Sequence, residues 1–169
     1  MAEMTEISDC RSFPPGAAAD AELLILGSMP GRESLARREY YAFKHNVFWR
    51  IMGSVFNFEP TLPYAVRLAK LRENRVALWD VLANCRRSGS MDAAIRAAEP
   101  NDISGLLSGC PHIRLICCNG SAAAGYLRRF FPSPGVPVVV LPSTSPAAAG
   151  LDYAAKLEAW RTAIRAAGL

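Results

Sequence analysis

The sequence predicts an α/β protein built on a parallel sheet covered on both faces. Nearly continuous apolar runs at residues 21–27, 112–120 and 136–142 read as buried strands, because a strand covered on both sides carries no polar alternation. Segments of helical periodicity lie between them, the clearest placing Phe48, Met52 and Val55 in one stripe with Trp49 and Phe56. Strand and helix in alternation imply parallel pairing. The composition agrees: 51% of the 169 residues are hydrophobic, enough for one domain with a proper core.

Taken in order, residues 1–20 read as a loosely packed arm, and residues 21–169 as a single domain with no internal repeat or low-complexity linker. "AELLILG" is the first strand. "NVFWRIMGSVF" and "LPYAVRLAKLREN" are helices. "RVALWDVLANC" begins as a second strand and ends in a loop. "MDAAIRAAE" and "NDISGLLSGC" have the look of short helices, the latter capped by Asn101 or Asp102. "HIRLICCNG" is the third strand, "SAAAGYLRRFF" a helix and "VPVVVLP" the fourth strand. In the closing helix, residues 152–168, Tyr153, Leu157, Trp160 and Ile164 share one face.

Net charge is +4, carried by sixteen arginines against three lysines. That balance suits a polyanionic partner, and the planar arginine fork binds two phosphate oxygens at once. Genomic GC-richness accounts for abundant Ala and Arg equally well. The first twenty residues lack the basic and apolar regions of a signal peptide, and no window has the length of a membrane span. Five cysteines at irregular spacing argue against a disulfide framework and for a reduced, cytoplasmic protein. With His45 and His112 the only histidines and no C-x-x-C, neither zinc nor an iron–sulfur cluster is expected, and no cofactor.

In such sheets ligands sit at the carboxyl ends of the strands. Here those ends read "GSMPG", "DVLANCRRSGS", "CNGS" and "LPSTSPAAAG", all rich in small or polar residues. The first is neither a dinucleotide fingerprint nor a P-loop. Gly27, Ser28, Met29, Pro30 and Gly31 instead offer a small-residue turn whose backbone amides can approach a ligand, or an ordinary strand-to-loop turn.

These segments, together with "YYAFKHNVFWRIM" and "PNDI", resemble the uracil-DNA glycosylase superfamily, in particular its DNA-deoxyinosine (hypoxanthine) branch, family six. The likeness runs from about Leu23 to Trp160. It implies a three-layer α/β/α sandwich with a short, mainly parallel central sheet. It also implies hydrolysis of the N-glycosidic bond of a deaminated base, hypoxanthine first, in DNA. Uracil as the main substrate, or a non-catalytic nucleic-acid-binding module, are the alternatives. The expected partner is duplex DNA carrying such a base, with single strands left open, and the expected state is a monomer.

The resemblance also assigns roles. Relatives hold the attacking water with a polar residue in the first motif, where this chain has Ser28 and Met29. In the deoxyinosine branch the Asn before "FW" does so, here Asn46, which can equally cap the helix that follows. Leu141 stands where many relatives place His or Asn, which leaves leaving-group assistance to Ser143, Ser145 or backbone amides. Tyr41 falls at the aromatic under the extruded base, and Asp80 at a base-reading position, with core packing and loop capping as their other roles. Asn119, in the third strand-end segment, joins the base-binding set. Phe43-Lys44 departs from the expected His-Pro. Lys44, Arg86 and Arg87 are candidate phosphate contacts, and Thr144, Pro146 and Leu151 candidate contacts to the duplex, Leu151 as a partial wedge. No lysine lies in these motifs, so a Schiff-base mechanism is disfavoured.

Overall fold

Four parallel strands form the centre: β2 (Leu23–Gly27), β3 (Val76–Asp80), β6 (Leu115–Asn119) and β7 (Val138–Leu141), in the order β3-β2-β6-β7. The structure, a computed structural model, describes residues 6–169. Every residue of β2 and of β3 is buried, inward and outward positions alike, so both faces of the sheet are covered. The expected three-layer α/β/α arrangement is the one observed, with α1 (Arg32–Arg37), α2 (Phe48–Phe56), α3 (Tyr64–Glu73), α4 (Ile103–Gly109), α5 (Ser121–Phe130) and α6 (Tyr153–Ala166) as its helices.

Aromatic contacts tie the helices to one another. Phe48 sits edge-on to Trp160 at 6.3 Å between ring centres, joining α2 to α6, and Trp49 sits edge-on to Tyr64 of α3. On α6, Trp160 and Ile164 are buried as the periodicity predicts, and Lys156 joins them. All five cysteines are buried and free. Burial pushes the thiols of Cys85 and Cys118 up to about 11 and that of Cys117 up to about 12. Among the described residues no helix is long and apolar enough to cross a membrane.

A second sheet, antiparallel and ordered β1-β4-β5, overturns three expectations. Residues 8–11, read as part of a loose arm, form β1 (Ser8–Arg11), with Cys10 buried and paired to Cys85. The arm is further pinned where Gly16 bridges Leu78. Residues 82–87, read as a loop, form β4 (Leu82–Arg87). The segment "MDAAIRAAE", read as a helix, is a single 3₁₀ turn at Asp92–Ala94 followed by β5 (Arg96–Pro100). Its alanines favour a helix, but ladder bonds to β4 override so weak a preference. The pairing is irregular, with register shifts between Leu82 and Arg86 and a left-handed backbone at Ala97, which removes the alternation that marks a strand.

The indole N–H of Trp160 donates to the carbonyl of Pro142 at 3.0 Å, fastening the loop after β7 to the core. Trp160→Phe leaves that carbonyl without its partner. It should lower unfolding free energy in urea by about 1–3 kcal/mol. An unchanged midpoint would show that the loop holds without this anchor.

Candidate active site

The carboxyl ends of the four parallel strands open on one cavity of about 340 Å³. Gly27, Asp80 and Asn119 contribute from β2, β3 and β6, and Ser143 from the loop after β7. This is where strand-end chemistry was expected. The turn "GSMPG" forms one wall. Its shape is held from β3 and β4: Val81 N–H donates to the Gly27 carbonyl at 2.8 Å and Leu82 N–H to that of Ser28 at 3.1 Å. Gly27 is required by space. A Cβ there would lie 2.5 Å from Asp80 Oδ1 and 2.9 Å from the Tyr41 hydroxyl.

Two buried polar atoms beside that gap have no hydrogen-bond partner within the protein: Asp80 Oδ2 and Tyr41 Oη. Orphans of this kind are rare in a folded interior and point to a ligand that completes them. Burial, reinforced by the negative charge of Asp92 and opposed by Arg87, pushes the Asp80 carboxyl up to about 7. Its Oδ2 accepts no backbone N–H, as the oxygen of a loop cap would. Burial, and then the Asp80 charge, raises the Tyr41 hydroxyl far above its ordinary range, so it stays a neutral donor. The Tyr41 ring stacks on Phe48 with centres 4.0 Å apart, and the residue lines the cavity. The backbone of Tyr41 is left-handed at φ 55°, a costly conformation for an aromatic residue and one found at functional sites.

Asn46 lines the lip of the cavity, half-buried. Its Oδ1 accepts from the N–H of Phe48 at 3.0 Å. The capping role is thus present. It uses one lone pair of the oxygen and leaves the second, with the whole amide NH₂, for other partners.

The loop "LPSTSP" is immobilised at almost every polar atom. The side chain of Asn119 donates to Thr144 Oγ1 and accepts from Thr144 N–H, both at 2.9 Å. Val47 N–H donates to the Thr144 carbonyl and the Lys156 ammonium to that of Ser145. The amides of Ser145 and Ala147 donate to the hydroxyl oxygens of Ser143 and Ser145. Those amides are therefore committed, and the hydroxyl protons of Ser143 and Ser145 are what the loop can still offer. Gly120, at φ 92°, lets the chain turn into α5 with the space of a Cβ only 3.0 Å from Ser143.

Two candidate contacts to DNA are corrected. Arg87 is 1% exposed, and its guanidinium donates to the Pro30 carbonyl, so it props the first turn from behind and cannot meet a phosphate. Alternation along β4 sends Arg87 inward and Arg86 outward, and Arg86 pairs with Asp9 at 3.5 Å. Thr144 is likewise 1% exposed and serves as a brace through Asn119. Lys44 is exposed beside Phe43 on the lip. Pro146 and Ala147 lie on the cavity rim, whereas Leu151, 48% exposed, stands apart from it, just ahead of the Asp152 cap of α6.

Several site residues escape the sequence reading. Asp92 lines the cavity and accepts the Ser28 hydroxyl at 2.6 Å. Ser34, in the first turn-following helix, is buried and accepts from the N–H of Ala42 at 3.1 Å, which steadies the segment carrying Tyr41. Lys156 reaches the last loop from α6. Only the run "SGSMD", bunched small residues around one acid, could have flagged Asp92, and nothing flags the other two.

Comparison with known proteins meets this geometry. The model of the uracil DNA glycosylase superfamily matches residues 13–164. A protein of Methanosarcina acetivorans named hypoxanthine DNA glycosylase is 40% identical over 136 residues, covering 80% of this chain and 85% of the relative. Its namesake in Methanosarcina barkeri is 36% identical over 117 residues, covering 69% and 74%. A solution NMR structure from M. acetivorans, provisionally named a uracil DNA glycosylase, superposes with a TM-score of 0.84 at 35% identity, over 96% of this chain and 100% of that one. A match that runs from the arm to the last helix, on a fold whose strand ends converge on one cavity, makes the chain a member of the uracil DNA glycosylase superfamily.

Proposed function

We propose that the chain is a monofunctional DNA glycosylase that hydrolyses the N-glycosidic bond of hypoxanthine in DNA and leaves an abasic site. The observation that carries this reading is the orphan pair, a tyrosine donor and an aspartate acceptor buried side by side in one cavity. Hypoxanthine presents a carbonyl next to a ring N–H, so Tyr41 donates to the carbonyl and Asp80 accepts from the ring. Adenine presents the reverse pattern and would set a lone pair against Asp80. Uracil shares the favourable pattern and is the second reading. An apolar cavity of roughly 150 Å³ already holds benzene, so the 340 Å³ here admits a two-ring base. The names of the two Methanosarcina relatives favour the purine.

In the proposed reaction the nucleotide is flipped from the duplex, and its base enters the cavity with its edge toward Tyr41 Oη and Asp80 Oδ2. The second lone pair of Asn46 Oδ1 holds a water below the sugar. The C1′–N bond breaks with its electron pair leaving on the base, and the water oxygen bonds to C1′. The Tyr41 donor and the hydroxyls of Ser143 and Ser145 meet the charge that develops on the base. No lysine lines the cavity among the described residues, which supports simple hydrolysis without strand cleavage. Lys44 and Arg86 are proposed to meet phosphates, and Pro146 with Leu151 to brace the emptied stack. The protein is proposed to act as a cytoplasmic monomer on duplex DNA.

The deciding assay uses end-labelled duplexes with one inosine, uracil or xanthine. Inosine should be released fastest, leaving a site cut only after alkali. Release from none of them would favour a non-catalytic DNA-binding module. Asn46→Ala should slow excision about 100-fold or more, hold duplex affinity within a few-fold, and cost about 1 kcal/mol for the lost cap. Near-normal turnover would reduce Asn46 to a cap.

Asp80 predicts how stability varies with pH. The native protein holds its proton up to about 7, the unfolded chain only to 3.8. Native protein therefore binds the extra proton between these values, and stability falls as pH rises through that window. Asp80→Asn should flatten the fall, which for the wild type is on the order of a few kcal/mol. Parallel curves for the two proteins between pH 4 and 7 would contradict the assignment.

A further inference from the structure

We propose that Asp92, held on the Ser28 hydroxyl, is a catalytic carboxylate whose negative charge faces the sugar of the flipped nucleotide and stabilises the cation formed there. The inference rests on the glycosylase reading. Asp92 reaches Ser28 across 64 residues of chain, and the 2.6 Å separation is that of a hydroxyl donating to an ionised oxygen. Both residues line the cavity. Asp92 opens the 3₁₀ turn before β5, on a loop freed by the left-handed Gly89 and tied a second time to the first turn by the N–H of Arg32 donating to Ser90 at 2.9 Å. The contact is therefore part of a built join between two loops.

Position gives the role. The base-reading pair, Tyr41 and Asp80, lies buried at the inner end of the cavity, while Asp92 is exposed at the mouth. A nucleotide entering base first leaves its sugar at the mouth, beside Asp92. Departure of the base with the bonding electrons turns the sugar cation-like, and a fixed anion there favours that state over the ground state. Water then bonds to C1′, its surplus proton passes to solvent at the open mouth, and the released base takes a proton from solvent. Among the described residues no ion pair neutralises Asp92, so its charge is available. The charge is also felt inside: after burial it is the largest influence raising Asp80.

An anion at a mouth that must accept DNA opposes ground-state binding by repelling phosphates. Catalysis and binding should therefore respond in opposite directions, which a merely structural residue would not produce. The experiment measures single-turnover release of hypoxanthine from an inosine duplex, together with affinity for the undamaged duplex, for wild type, Asp92→Asn, Asp92→Ala, Asp92→Glu and Ser28→Ala. Asp92→Asn keeps an acceptor for Ser28 and loses only the charge. It should slow release about 100-fold with unchanged or tighter duplex binding, Ser28→Ala should slow it less, and Asp92→Glu should recover part of the rate. Asp92→Asn at wild-type rate overturns the proposal, including the case where Asp92→Ala alone is slow. Should Asp92→Asn melt early, Ser28→Ala decides: release at the wild-type rate overturns the proposal, because the carboxylate would then act without the hydroxyl said to fix it. A wild type that releases no base overturns the glycosylase reading, and this inference with it.

Discussion

The site depends on one register. Parallel pairing sets Gly27 of β2 opposite Asp80 of β3, and the absence of a side chain at Gly27 leaves room for a carboxylate and a tyrosine hydroxyl to approach. Burial of that carboxylate follows, since the surrounding strands are closed on both faces. So does its raised proton affinity, and so does the demand for a ligand able to satisfy it. A slip by one residue in β3 would turn Asp80 to the opposite face of the sheet.

Around this centre the chain is stiffened from behind. Arg87 props the first turn through Pro30, Ser34 steadies the segment carrying Tyr41, and Asn119, Lys156 and Trp160 hold the last loop at successive atoms. Polar groups that would otherwise be free to hydrate are consumed in fixing geometry. What remains without a partner is small: Tyr41 Oη, Asp80 Oδ2, two guanidinium nitrogens of Arg87, one face of Asn46 and two serine hydroxyl protons. Such preorganisation lowers the reorganisation needed when charge appears during a reaction.

Much of this was legible in the sequence, and the failures share a cause. The parallel strands announce themselves because they are buried on both faces and therefore apolar throughout, and the turn "GSMPG" is visible as a cluster of residues with little else to do. Asn46 shows both as a cap signal and as part of a motif. The second sheet is invisible because its strands pair at edges with shifted register, and because alanine-rich "AAIRAAE" speaks for a helix locally. Arg87 and Thr144 look like solvent-facing polar residues in one dimension. Their burial is decided by strand alternation and by a distant partner, Pro30 in the first turn and Asn119 at the end of β6 respectively, that no local pattern names. Asp92 is missed for the same reason, its partner Ser28 lying far away along the chain.

The five buried cysteines bear on chemical durability. Thiols react with oxidants and electrophiles as thiolates, and the raised values of Cys85, Cys117 and Cys118 keep that form scarce at neutral pH. Their burial also denies reagents a path to the sulfur. The core sulfur is protected twice, by the proton it keeps and by the packing around it.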